Sequence, residues 1–217
     1  MLNIQFLFSR HYINRIAAIK GIILTPAHLT SAQQATISLE KEWRAVEGKV
    51  VGWLFDIMNM EVPDDNISIY IFPEDITICT TNVDDKLILL SNRSSLLDYS
   101  VISICHELAH IYLNIYRKND LIDRVEEEAL AMLIADNEIN KRLNSSIYFE
   151  NQFTELIWHD YHKSALIIAK HVADKWSQYL NSENQDITSL FDPLHEAMRR
   201  NNISDHFDNM ALKDHIK

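Results

Sequence analysis

The stretch SICHELAHIY, residues 103–112, carries two histidines four positions apart, with a glutamate directly after the first. On an α-helix, residues four apart lie one above the other on the same face, with Cβ atoms about 6 Å apart. Two imidazoles at this spacing can reach one tetrahedral cation, because Zn–N bonds are about 2.0–2.1 Å long. The spacing therefore predicts that His106 and His110 are ligands of one metal ion.

Glu107 lies about 100° further round the predicted helix than His106, so it can lean over a metal site without being a ligand. The residues around the motif are small or apolar: Ile104, Cys105, Leu108, Ala109 and Ile111. They predict a largely buried helix, in which polar groups are costly unless they are paired. A metal site is therefore a better explanation of this motif than chance placement.

The helix that carries the motif is predicted to begin near Ser95, because Ser95-Leu96-Leu97-Asp98 has the pattern of a capping box. In that pattern the serine hydroxyl and the acidic side chain satisfy N–H groups of the first turn. No glycine or proline interrupts the chain before Arg117 and Lys118. We therefore expect one long helix that ends at this basic pair.

Composition indicates a compact, mostly helical protein. The 217 residues are 47% hydrophobic and include three glycines and four prolines, which suits a single core. The formal net charge of −11 does not suit a nucleic-acid partner, which would require a basic surface. We expect an N-terminal helical segment at 1–60, a metal-binding core at 61–145 and C-terminal helices at 146–217, packed as one domain.

The N-terminal stretch MLNIQFLFSRHYINR lacks the charged start and long apolar run of a signal peptide. No run approaches the roughly 18 apolar residues of a membrane span. The two cysteines are Cys79 and Cys105; Cys105 falls in the buried helix and is expected to be a small core residue. These features predict a cytoplasmic protein with no membrane partner.

Apolar alternation predicts a small sheet before the motif helix. Residues 4–8 indicate a short strand or an extended arm, and residues 67–71 a regular strand. A further strand around Ile78, a turn at 82–85 and the apolar run KLILLS at 86–91 follow. With the helices, this order predicts an α+β fold.

Helical periodicity predicts four further helices. Ser31 and Gln34 are placed to cap a long helix that reaches Ile57. After the motif, Asp120 is expected to open a second helix, LIDRVEEEALAMLIADNEINKRL. A third helix is expected from Phe153 to Leu180 and a fourth from Leu190 to Met198.

A catalytic zinc takes three protein ligands and keeps one position open for water, so a third ligand is expected on a neighbouring element. Glu126, Glu127 and Glu128 lie about one turn into the next helix. On a helical wheel Glu127 points to solvent, while Glu126 and Glu128 lie on opposite edges of the buried face. Glu128 is favoured, because small residues beside it permit close approach of another helix. Glu126 stays the alternative, as does a solvated helix start for all three glutamates.

Asp136 falls near the centre of the same buried face, where an unpaired carboxylate would be costly. Metal-bound histidines generally donate their second N–H to a carboxylate or a carbonyl. Asp136 could orient His106 or His110 in this way. An arginine or a helix N-terminus would explain its position equally well.

The motif HELAH at 106–110, followed by Glu128 in EEEALAML, resembles the zincin metallopeptidases whose third ligand is a glutamate. The order of apolar strand, HELAH helix and second helix is similar to the ImmA/IrrE-type regulatory metallopeptidases, over about residues 67–140. The chain departs from them at Ala109, where that type commonly has glycine, and at Met132, where thermolysin-like enzymes have aspartate. The resemblance implies a zincin-like domain that binds Zn²⁺ and hydrolyses a protein or peptide substrate.

The ligand set leads to a mechanism in which Glu107 takes a proton from zinc-activated water and passes it to the departing amine. In zincins a later Tyr or His often stabilises the oxyanion, and HDYHK offers Tyr161, with His162 as the alternative. Ordinary core packing also explains Tyr161. The run KLILLS would be the edge strand against which an extended peptide pairs.

Two other function classes stay open. One is a degenerate zincin, in which the helices bind a partner protein without proteolysis. The other is a non-enzymatic helical module in which HELAH is accidental. Metal content separates the accidental motif, which would bind no zinc, from the metallopeptidase and the degenerate zincin. The Glu107→Gln variant then separates the metallopeptidase, which would lose activity, from the degenerate zincin.

Overall fold

The structure is a computed structural model that describes residues 2–76, 79–92, 97–143, 160–183 and 185–203, without the side chains at 79, 97–100 and 160–162. Contacts group the chain into two compact units. The first comprises Met1–Trp53 and Glu61–Ile111, and the second Leu54–Met60 and Tyr112–Lys217. The three-segment organisation expected from the sequence stays a prediction.

The first unit holds a sheet of four strands, with spatial order β1-β2-β4-β3. The strands are β1 Asn3–Leu7, β2 Asn66–Phe72, β3 Cys79–Asn82 and β4 Leu87–Ser91. β2 is parallel to both β1 and β4, whereas β3 runs antiparallel to β4. This sheet and the helices confirm the α+β class. Ile78, around which a strand was expected, lies outside the described residues.

The expectation that KLILLS forms an edge strand is wrong. β4 lies between β2 and β3, with Ile69 opposite Ile88 and Thr80 opposite Leu89. Ile88, Leu89 and Leu90 are all buried. A run of consecutive apolar residues is typical of a strand covered on both faces rather than of an edge. Within the described sheet, β3 and β1 are the edges.

Two helices cover this sheet: α1 Arg10–Ile19 and α2 Pro26–Met58. Ile13 and Ala17 of α1 share a core cluster with Ala32 of α2 and with Phe72, Ile76 and Leu89. The expected start of α2 at Ser31 is wrong. Pro26 is the first residue of the helix, where its fixed φ suits the helix and its missing N–H costs nothing. The Thr25 hydroxyl accepts the backbone N–H of His28 at 3.4 Å.

The motif helix α3 is Leu97–Lys118 and ends at the basic pair, as predicted. Ser95 of the expected capping box lies outside the described residues. The next helix does not open at Asp120, which has a φ of 55° in the turn after α3. Asp123 is instead its N-cap, because Asp123 and Glu126 form a capping box. The helical segments are α4 Arg124–Ala131, a π-helix Met132–Ile139 and α5 Asn140–Arg142.

The remaining described helices are α6 Asp160–His171, α7 Ala173–Leu180, a 3₁₀ turn Ile187–Leu190 and α8 Phe191–Arg200. The expected single helix from Phe153 to Leu180 is divided at Val172, and residues 153–159 lie outside the described part. The predicted fourth helix is confirmed as α8. α4 packs against α6. A search of the described helices finds none that combines the length and apolarity of a membrane span.

Candidate metal centre

His106 and His110 lie on successive turns of α3, and their Nε2 atoms face each other at 3.1 Å. The two rings are arranged edge to face. Nitrogen ligands of a tetrahedral zinc ion lie about 3.3 Å apart when both bonds are about 2.0–2.1 Å long. The observed separation therefore fits two ligands of one cation.

Glu128 of α4 completes a group with these histidines. One ligand atom from each of His106, His110 and Glu128 lies within 4.8 Å of the others. Glu128 is buried, with 1% of its surface exposed, and rotation about its side-chain bonds can shorten the remaining distance. The preference for Glu128 over Glu126 therefore agrees with the arrangement of the described residues.

The chemistry of this donor set narrows the choice of metal. Imidazole nitrogen suits zinc and other transition metals, whereas magnesium and calcium prefer oxygen ligands throughout. Two histidines and a carboxylate occur in catalytic zinc sites and in ferrous iron sites. The residues thus fit a metal of this class, and the site is a possible metal-binding site.

Glu126 has a structural role instead. One of its oxygens accepts the backbone N–H of Asp123 at 2.9 Å, and the other contacts Nδ1 of His195. The Asp123 carboxylate accepts the Glu126 N–H at 2.8 Å in return. Burial raises the pKa of the Asp123 carboxyl, and the hydrogen bond from the Glu126 N–H offsets part of that rise. Both oxygens of Glu126 are therefore engaged in fixing the start of α4 and its contact with α8.

The expectation that Glu127 is a solvated charge is wrong. It is only 2% exposed, and its carboxylate pairs with Nε of Arg117 at 3.1 Å. The wheel placed Glu127 away from the apolar face of its own helix, but the end of α3 covers that side. The three neighbouring glutamates thus separate into a cap, an ion pair and a candidate ligand.

Glu107, the expected general base, is 4% exposed and lies next to His106 on α3. Its burial matches the expectation that this acidic side chain faces the interior. Cys105 is fully buried, as expected for a small core residue. The catalytic role of Glu107 stays a prediction.

Asp136 lies in the π-helix that follows α4 and is 9% exposed. A π-helix bonds residues five apart instead of four, so the α-helical wheel used to place Asp136 does not apply there. Such segments often occur near functional sites. Its role beside a metal-bound histidine stays a prediction.

Tyr161 and His162, the two candidates for stabilising an oxyanion, lie in the first turn of α6. Their side chains are among those that the structure does not describe, and His159 lies outside the described residues. Their roles therefore stay predictions.

Comparison of the chain with models of known protein families gave no match, and neither did comparison with curated proteins or with solved structures.

Proposed function

We propose that this chain is a zinc metallopeptidase that hydrolyses peptide bonds in a protein or peptide substrate. The observation that carries the proposal is the convergence of ligand atoms from His106, His110 and Glu128 within 4.8 Å. Glu107, buried next to the first of these residues, supplies the acidic group that hydrolysis requires. The HELAH motif therefore contains two of the three candidate ligands and the candidate general base.

Zinc bound at such a site would lower the pKa of a water molecule and polarise a substrate carbonyl. Glu107 accepts the proton that the attacking water loses and transfers it to the departing amine nitrogen. Its low exposure favours this role, because the protein around a buried carboxylate restricts its orientation and limits the access of competing solvent. His106, His110 and Glu128 would hold the metal and take no part in proton transfer.

Two features favour a catalytic site over a structural one. Structural zinc sites normally have four protein ligands, whereas the group found in the described part of the chain has three. The buried carboxylate of Glu107, next to a candidate ligand, also matches the general base that hydrolysis requires. The same carboxylate favours hydrolysis over the oxygen chemistry of ferrous iron, since hydrolysis needs a general base.

Tyr161 is proposed to donate a hydrogen bond to the carbonyl oxygen as negative charge develops on it. Its position at the start of α6, a helix that packs against α4, supports this role. His162 is the alternative donor, since it neighbours Tyr161 in the same turn.

The proposal is tested on the purified chain and its Glu107→Gln variant. Metal analysis of the wild type should give about one zinc per chain, and the variant should retain it. Cleavage of a mixed peptide library, followed by mass spectrometry, should be detected for the wild type and lost in the variant. A wild type without zinc contradicts the proposal. Zinc with no cleavage would instead support the degenerate, protein-binding zincin.

A further inference from the structure

Two polar residues of α3 continue the helix face that carries the histidines. At about 100° per residue, Asn114 lies about 40° from His110 around the helix axis, and Arg117 about 20° on the other side. Asn114 is 3% exposed, so this face is still buried one turn beyond His110. The ligand face of α3 therefore extends toward the turn that leads into α4.

Arg117 links this face to α4 through one hydrogen bond and one ion pair. Its Nη2 donates to Oδ1 of Asn114 at 2.8 Å, and its Nε pairs with Oε2 of Glu127 at 3.1 Å. The guanidinium is planar and presents its donors in a rigid fork. Asn114 thus orients the arginine, and the arginine holds the Glu127 carboxylate.

Burial makes this contact energetically important. Glu127 is 2% exposed, whereas the Arg117 side chain is 38% exposed, so the pair is buried on the side of the glutamate. Removing a partner of a buried charge is destabilising. The pair therefore constrains the backbone of α4 at the residue directly before Glu128. The turn between the helices includes Asp120 in the left-handed region, and the Arg117–Glu127 pair adds a side-chain tie across it.

We infer that Asn114, Arg117 and Glu127 are positioning residues that place Glu128 for metal binding with His106 and His110. This inference rests on the proposed metal site. Glu127 and Glu128 share one rigid helical backbone, so a shift of the first moves the second. A metal ligand must lie within a few tenths of an ångström of its place. Metal affinity should therefore depend on the Arg117–Glu127 pair, although neither residue is a ligand.

The test measures zinc dissociation constants of the full chain by competition with a chromophoric chelator. Arg117→Met and Glu127→Gln should each weaken zinc binding about 10- to 100-fold, the range typical of groups that orient metal ligands. Arg117→Lys keeps the positive charge but loses the planar array of N–H donors. The zinc affinity of this variant should therefore fall between that of Arg117→Met and that of the wild type. Cobalt substitution gives a second readout, because displacement of Glu128 should change the visible absorption of bound Co²⁺.

His195→Ala is the matched control. It removes the partner of Glu126, another glutamate of α4 that is 2% exposed, so it removes a comparable contact of the same helix. It should lower the melting temperature but leave the zinc dissociation constant within about twofold of the wild type. Circular dichroism establishes whether each variant is folded. If Arg117→Met does not fold, the zinc affinity of Arg117→Lys provides the test in its place.

The outcomes separate this inference from the proposed function. Wild-type zinc affinity in folded Arg117 and Glu127 variants would overturn the positioning role while leaving the metal site intact. An equal loss in His195→Ala would also overturn it, since any loosening of α4 would then suffice. A wild type that binds no zinc overturns the proposed function, and the positioning role with it.

Discussion

The Nε2 atoms of His106 and His110 lie 3.1 Å apart on successive turns of α3. Either ring alone is a weak ligand, and the pair becomes chelating because one helix holds both. His106→Ala or His110→Ala should therefore reduce bound zinc from about one per chain to near zero. Metal analysis after dialysis checks this result, and full zinc occupancy in either variant would contradict the ligand pair.

The melting temperature gives a second test of zinc binding by His106 and His110. A ligand that binds only the folded state stabilises it by about 4 kcal/mol at a thousand times its dissociation constant. Zinc should raise the melting temperature of the wild type but not that of His106→Ala or His110→Ala. Melting with and without a chelator makes the comparison within each protein, so any direct effect of the substitution cancels.

Glu128→Ala should mainly reduce zinc affinity, whereas Glu126→Ala should mainly reduce the stability of the fold. Glu128→Ala should weaken zinc binding at least tenfold, because it removes a ligand. Glu126→Ala should change zinc affinity far less but lower the free energy of unfolding by about 1–3 kcal/mol, since it removes the capping-box acceptor and the partner of His195. Chemical denaturation and chelator competition on both variants give the two quantities. The reverse order would show that Glu126 is the ligand.

Tyr161→Phe should lower kcat about 100-fold or more while zinc content stays the same, if the hydroxyl donates to the oxyanion. The change removes only the hydroxyl, so ring packing is kept. His162→Ala is the control and should leave kcat within a few-fold of the wild type. A normal rate for Tyr161→Phe with a large loss for His162→Ala would transfer the role to the histidine.

Asp123 should make stability depend on pH in a definite direction. Burial raises the pKa of this carboxyl in the folded state. The contribution of the carboxyl to stability is therefore fully present at pH values below its pKa in the unfolded chain. That contribution is lost as the pH rises through the folded pKa. Asp123→Asn keeps an oxygen that can accept the Glu126 N–H and does not titrate, and asparagine is an equally good N-cap.

The stability of Asp123→Asn relative to the wild type should therefore increase with pH from about pH 4 toward neutrality, and level off in acid. Urea denaturation of both proteins at several pH values measures the difference in their free energies of unfolding. The contributions of the other carboxylates are common to both proteins and cancel in this difference. A difference that falls as the pH rises would show that the charge of Asp123 stabilises the cap more than burial opposes it.

Much of the fold follows from local patterns in the chain. The alternation at Ile67, Ile69 and Ile71 predicts β2, and the uninterrupted run before Lys118 predicts α3. The start of α2 was missed because Thr25-Pro26 is as good a start signal as Ser31-x-x-Gln34, and the structure uses the earlier one. The start of α4 was missed although Asp123 and Glu126 have the spacing of a capping box.

The sequence by itself determined that His106 and His110 lie together, because residues four apart on a helix meet whatever surrounds them. It could not determine that β4 is an interior strand, that Arg117 covers Glu127, or that Glu126 is held by His195. Those outcomes depend on which element packs against each face, and a helical wheel describes only its own helix. The helical wheel favoured Glu128 but left Glu126 open, and the tertiary structure groups Glu128 with His106 and His110. The physical reason is that buried carboxylates are stable only where a partner lies, and the partners come from distant parts of the chain.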